Sequence, residues 1–86
     1  MDQASERFSQ LTARSSAARE AIEQIKSQQE ASGYGMRTDV TGSLGRMNAY
    51  LQTADRAIAA NDPGAAQKAM EKAEKEVVFL EHFLGK

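Results

Sequence analysis

The chain has 86 residues, of which 41% are hydrophobic and 27% are charged, and a chain this short supports one core because it buries only roughly 60–65% of its unfolded surface. Eleven basic residues against twelve acidic ones give a formal net charge of −1, which provides no general attraction to nucleic acid or to anionic membranes. The absence of cysteine excludes disulfides, thiolate metal sites and cysteine nucleophiles. We therefore expect one domain over residues 1–86, with no nucleic-acid or membrane partner.

The first predicted element is a helix over residues 3–31. Its candidate core positions alternate in steps of three and four, which places them on one narrow helical stripe. They are Phe8, Leu11, Ser15, Ala18, Ile22, Ile25 and Gln29. Gly33 comes just after the last predicted turn, where a left-handed glycine ends many helices. The opening residues, MDQASERFSQ, lack the basic start and apolar run of a signal peptide, and we expect a cytoplasmic protein.

The second predicted helix covers residues 36–60 and has the clearest stripe in the chain. The stripe consists of Val40, Leu44, Met47, Leu51, Ala54 and Ile58. Gly42 and Gly45 project to the opposite side with Ala49, which gives that side a smooth surface. Glycine inside a helix costs about 1 kcal/mol relative to alanine. Either the helix begins after these glycines, or close approach of another backbone compensates, and we expect that backbone to belong to a second chain.

The third predicted helix covers residues 63–84. Asp62 is suited to cap its first turn, and Pro63 suits its first position because proline needs no hydrogen-bond acceptor there. Its stripe consists of Ala66, Met70, Ala73, Val77, Leu80 and Leu84, widened by Ala69. The connection to the second helix is about two residues, so these two helices should form a tight antiparallel hairpin.

Three amphipathic helices with short connections predict an all-α, up-down-up three-helix bundle. The alternative is an extended helical hairpin or coiled coil, in which the first helix stands away and pairs with another chain. This alternative arises because the stripe of the first helix is narrow and close to a period of 3.5 residues.

Helices 2 and 3 carry two resemblances. The stretch AIAANDPGAAQKAMEKAEKE, with Ala66 and Ala73 seven residues apart, resembles a single tetratricopeptide hairpin, in which small residues let two helices approach closely. That resemblance covers about half of the chain and implies a helical hairpin and peptide binding. The ending EKEVVFLEHFLGK resembles the C-terminal helices of bacterial proteins that end in Phe-Leu-Gly and a basic residue, and this resemblance implies no function. Separately, we expect the chain to be a C-terminal accessory domain of a larger bacterial protein.

Candidate catalytic groups are few. His82 is the only histidine, and the helical pattern places it on the solvent side of helix 3. We expect Glu71, Glu74 and Glu81 to form salt bridges with Lys68, Lys72 and Lys75 of the same helix, a pattern typical of a solvated helix face. We therefore expect no catalytic residues, no metal site and no cofactor.

Candidate partner contacts come from two groups of residues: Phe79, Phe83 and Tyr34, and Gly42, Gly45 and Ala49. Phe79 and Phe83 lie off the core stripe, with Phe79 further from it, and we expect Tyr34 and Met36 to fold over Phe83 as a lid. Phe79 is predicted to contact a protein partner or a second copy. The sequence thus predicts a non-catalytic interaction or oligomerisation module; the alternatives are a coiled-coil spacer and a small-ligand-binding bundle.

Overall fold

The computed structural model describes residues 2–33, 35 and 37–85, and for residues 2–4 it describes the backbone alone. It contains helix α1 at Asp2–Ala31, helix α2 at Thr38–Ala59 and helix α3 at Pro63–Phe83. No strand occurs among the described residues. The all-α class predicted from the sequence is therefore confirmed, and each helix bound lies within two residues of its predicted position.

Contacts between the helices establish their directions. Between α1 and α3, residues later in one helix contact residues later in the other: Arg7 pairs with Glu74, and Arg14 pairs with Glu81. Contacts between α2 and α3 run in opposite senses: Ser43 with Glu76, and Tyr50 with Lys72. Helices α1 and α3 are therefore parallel and α2 is antiparallel to both, which confirms the up-down-up order.

The core combines one face of each helix. Helix α1 contributes four buried residues, Leu11, Ser15, Ala18 and Ile22. Helix α2 contributes six, Val40, Ser43, Met47, Leu51, Ala54 and Ala57. Helix α3 contributes six, Ala66, Ala69, Met70, Ala73, Val77 and Leu80. Every predicted stripe is recognisable in these sets, although six of the predicted members are only half-buried: Phe8, Ile25, Gln29, Leu44, Ile58 and Leu84.

The α2 stripe differs from the prediction at two positions, where Ser43 and Ala57 are buried while the predicted Leu44 and Ile58 are half-buried against the core. A buried hydroxyl needs a hydrogen-bond partner, and the Oγ of Ser43 donates to the Glu76 carboxylate at 2.8 Å. Ser15, the buried serine of α1, donates to the carbonyl oxygen of Leu11 at 2.8 Å. Both serines are therefore compatible with an otherwise apolar core.

Helices α2 and α3 pack more closely against each other than either packs against α1. The turn between them is closed by its own backbone. Asn61 has φ +59, and the amide of Asp62 donates to the carbonyl of Ala57 at 2.8 Å, a pattern that satisfies the last carbonyls of α2. The Asp62 side chain then accepts from the amide of Ala65 at 3.1 Å, which confirms the predicted cap of α3.

Helix α1 extends along the whole molecule. At about 1.5 Å per residue its 30 residues span about 45 Å, which matches the 46 Å long axis. The 22 residues of α2 span only about 33 Å, so α1 is longer than the hairpin against which it lies. It ends at Gly33, whose φ of +87 confirms the predicted left-handed terminus.

The cap of α3 gives a direct test of this description. Asp62→Ala removes the acceptor for the Ala65 amide and should lower the free energy of unfolding by about 1 kcal/mol, measured by urea denaturation. Asp62→Asn retains a capping oxygen and is the matched control. Equal midpoints for the wild type and Asp62→Ala would contradict the assigned cap.

Candidate interaction surface

One side of the α2–α3 hairpin faces away from α1. We call it the hairpin face and define it by Gly42, Gly45, Arg46 and Ala49 of α2 and by Glu76, Phe79 and Phe83 of α3. The α3 residues that contact α1 are Glu74 and Glu81, and helical geometry turns Phe79 more than 120° away from both. Within the described residues, no helix covers the hairpin face.

An ion pair joins the two rows of the hairpin face. The Arg46 guanidinium lies 3.2 Å from the Glu76 carboxylate, which also accepts the Ser43 hydroxyl. Because Phe79 and Phe83 follow Glu76 by three and seven residues, they continue its row along α3. The glycines and Ala49 flank Arg46 on α2 in the same way. The described members of the two groups that the sequence proposed separately therefore lie on the same side of the hairpin.

The two phenylalanines have different environments, as predicted. Phe83 is half-buried against the core. Phe79 is 39% exposed, and among the described residues only Val78 is a comparably exposed large hydrophobic side chain. Isolated exposed hydrophobic residues are common on monomers, so the position of Phe79 beside a small-residue surface is more informative than its exposure alone.

Arg37 covers Phe83. Its guanidinium lies 5.5 Å from the ring centroid and is itself held by Asp39, with a shortest N–O distance of 2.6 Å. The hydrogen bond from Arg37 lowers the pKa of the Asp39 carboxyl from its ordinary value. Tyr34 and Met36, the predicted lid, lie outside the described residues.

Neither glycine interrupts α2, which runs from Thr38 through both. This removes the interpretation in which the helix begins after them. A β-carbon at Gly45 would meet no heavy atom within 4 Å, and at Gly42 it would meet only the end of the Arg46 side chain, at 3.3 Å. Close packing within the chain therefore does not explain either glycine.

Gly45→Ala should stabilise the isolated chain. The position is exposed, helical and open, so alanine should raise the free energy of unfolding by about 1 kcal/mol through its helix propensity. Gly42→Ala is the matched comparison and should gain less, because its methyl group would displace Arg46 and disturb the ion pair with Glu76. Unfolding at a concentration where the protein is monomeric measures both, and a destabilised Gly45→Ala would contradict the open environment.

Sequence reasoning missed the charged contacts between the helices. Arg46 with Glu76, and Lys72 over the Tyr50 ring at 5.8 Å, both link α2 to α3. Each of these residues lies at the edge of its helical stripe, and that position can be detected from the sequence. Identifying the partner on the other helix, however, requires the register of the hairpin.

The glutamates of α3 differ from the prediction. Glu74 and Glu81 were expected to pair with lysines of their own helix, but they pair with Arg7 and Arg14 of α1 at 3.3 and 2.8 Å. The hydrogen bond from Arg14 to Glu81 raises the pKa of the guanidinium. These ion pairs are partly exposed to solvent, and each contributes about 0–1 kcal/mol. They orient α1 more than they stabilise it.

His82 is exposed, as its pattern predicted. Among the described residues, no three His, Asp or Glu side chains lie together as a metal site would require. No described helix has both the length and the apolar character needed to cross a membrane. No protein-family model matches the sequence, and comparison with curated proteins and with solved structures finds no significant match.

Proposed function

We propose that this protein is a non-catalytic protein–protein interaction module that forms a homodimer through the hairpin face. The observation that supports this most is the juxtaposition of an exposed phenylalanine, Phe79, with a small-residue surface that nothing in the described chain covers. Two intrahelical glycines reduce the stability of α2 without a compensating contact in the chain. A contact with a second backbone would supply that compensation.

The shape of the hairpin face favours a second copy as the partner. In a two-fold dimer the same surface serves both subunits, so residue i meets residue j and j meets i. The hairpin face carries a large side chain, Phe79, on the same side of the hairpin as the small residues Gly42, Gly45 and Ala49. A two-fold axis between these features places each Phe79 against the small residues of the other subunit. A single surface thus supplies both halves of the contact.

The available area is sufficient for a modest dimer. The hairpin face extends about 11 Å along each helix and lies within an outward side of the hairpin that is about 33 Å long and about 20 Å wide. A contact over that whole outward side buries roughly 650 Å² per subunit, or about 1,300 Å² in total, near the lower end of specific interfaces. Phe79 is only 39% exposed, so its further burial contributes a part of the about 1.5–3 kcal/mol that a fully buried phenylalanine provides. We therefore expect reversible association in the micromolar range rather than an obligate dimer.

The proposal also covers the location and the biological role of the protein. We propose a cytoplasmic protein, or an accessory domain of a larger bacterial protein, whose activity is binding. A spacer is the second candidate, because the parallel α1 and α3 place the start of α1 and the end of α3 at opposite ends of a 46 Å body. A spacer needs no self-association, so the experiments below separate the two.

Phe79→Ser should abolish dimer formation while leaving the folding of the monomer nearly unchanged. The matched control is Val78→Ser, because Val78 is equally exposed at 40% but lies on the α1 side of α3, in a shallow groove with Arg7. Sedimentation equilibrium measures association, and urea denaturation measures stability. A wild type that remains monomeric at millimolar concentration would overturn the proposal. A loss of several kcal/mol in monomer stability would instead identify Phe79 as a core residue.

Ala49→Glu tests the other half of the contact. A carboxylate forced into a close interface without a partner is costly, so dimerisation should weaken at least tenfold. The same substitution is harmless to a monomer, because Ala49 is exposed on a helix. If Ala49→Glu dimerises as the wild type does, the small-residue surface is not part of the interface.

A further inference from the structure

Helix α1 is attached to the hairpin less extensively than α2 and α3 are attached to each other. Among the residues whose side chains are described, α1 buries four where α2 and α3 each bury six, and two of its four are small, Ser15 and Ala18. Phe8, Ile25 and Gln29, at the ends of its stripe, are only half-buried. In proteins, elements with few buried apolar contacts open at lower free energy than the core.

The polar contacts of α1 are matched in spacing. Arg7 and Arg14 are seven residues apart, as are their partners Glu74 and Glu81, so two turns of one helix meet two turns of the other in register. Arg19 of α1 also donates a hydrogen bond to the amide oxygen of Asn48 on α2, at 2.9 Å. These contacts specify which helix fits the hairpin and in which direction. The two ion pairs are accessible to solvent, so salt weakens them.

We propose that α1 is exchangeable, and that the surface of the hairpin that it covers also binds the α1 of a second copy. Opening would expose Val40, Met47 and Met70, which are fully buried in the closed chain. The helix best suited to cover them is another α1, because it carries Leu11 and Ile22 together with the two arginines at the required spacing. Every contact of the closed monomer is then reproduced between subunits, which makes such an exchange low in cost.

The connection is long enough for this exchange. Residues 32–37 span up to about 20 Å when extended, which lets α1 leave its own hairpin without unfolding α2. Gly33 holds the closed form in place, since its φ of +87 turns the chain back after α1. An L-residue at this position disfavours the turn but not a continuing helix. This surface is separate from the hairpin face, so the proposal stands independently of the proposed homodimer.

Two charge-reversal variants test the exchange, both made in a Phe79→Ser background so that the hairpin face does not contribute. The first carries Arg7→Glu and Arg14→Glu, and the second carries Glu74→Arg and Glu81→Arg. In each variant alone, α1 meets like charges on its own hairpin and on that of an identical copy. In a mixture, every α1 meets opposite charges on the hairpin of the other variant. The control combines all four reversals in one chain, which restores pairing within the monomer.

We expect the mixture to form a heterodimer by native mass spectrometry and to recover protection of α1 amides, while each variant alone remains monomeric with poorly protected α1 amides. The fourfold control should behave as the Phe79→Ser parent does. A mixture that contains only the two monomers would overturn the exchange, whether or not the single variants keep α1 docked.

Gly33→Ala, in the same Phe79→Ser background, provides a second readout. It should raise the association constant of the exchanged dimer about tenfold, because the closed turn is strained by a β-carbon and the open form is not. Gly35→Ala is the matched control, since it adds the same methyl group to the same connection. No increase in dimer for Gly33→Ala relative to Gly35→Ala would contradict the role of this turn.

Discussion

The structure depends on the close approach of α2 to α3. Alanine occupies two of the six buried positions on α2 and three of the six on α3. Short side chains allow helix axes to approach more closely, and the larger residues then fill the space above and below. Met47, Met70, Val77 and Leu80 supply this filling, and all of them are buried. The hairpin therefore forms a compact unit against which α1 lies.

The same arrangement determines which surfaces remain free. Because α1 covers one side of the hairpin, the opposite side is left to solvent with Phe79, the two glycines and Ala49 on it. The charges at its centre are already paired, since Arg46 and Glu76 contact each other. What the hairpin face offers to a partner is therefore shape and apolar surface. The side of the hairpin that α1 covers, by contrast, binds α1 partly through charge. At its edge, Glu74 and Glu81 form ion pairs with Arg7 and Arg14 of α1.

Much of the fold was predictable from the sequence. Periodicity identified three helices and most of the core, and local chemistry identified the Asp62 cap and the Gly33 terminus, because both depend only on neighbouring residues. Ser43 was missed because its burial depends on Glu76, 33 residues away. The pairing of Glu74 and Glu81 with α1 was missed for the same reason. Residues of the candidate site were predictable as off-stripe positions, but their assembly into one surface required the register of α2 against α3.

We infer that the hairpin is the stable unit and that α1 detaches from it at a lower free energy than the hairpin unfolds. Native-state hydrogen exchange tests this most directly, because it reports an opening free energy for each amide. The amides around Met47, Met70, Ala73 and Val77 should open only with global unfolding, whereas those around Ala18 and Ile22 of α1 should open at a lower free energy that decreases as salt is added. Equal opening free energies in all three helices, independent of salt, would contradict the account.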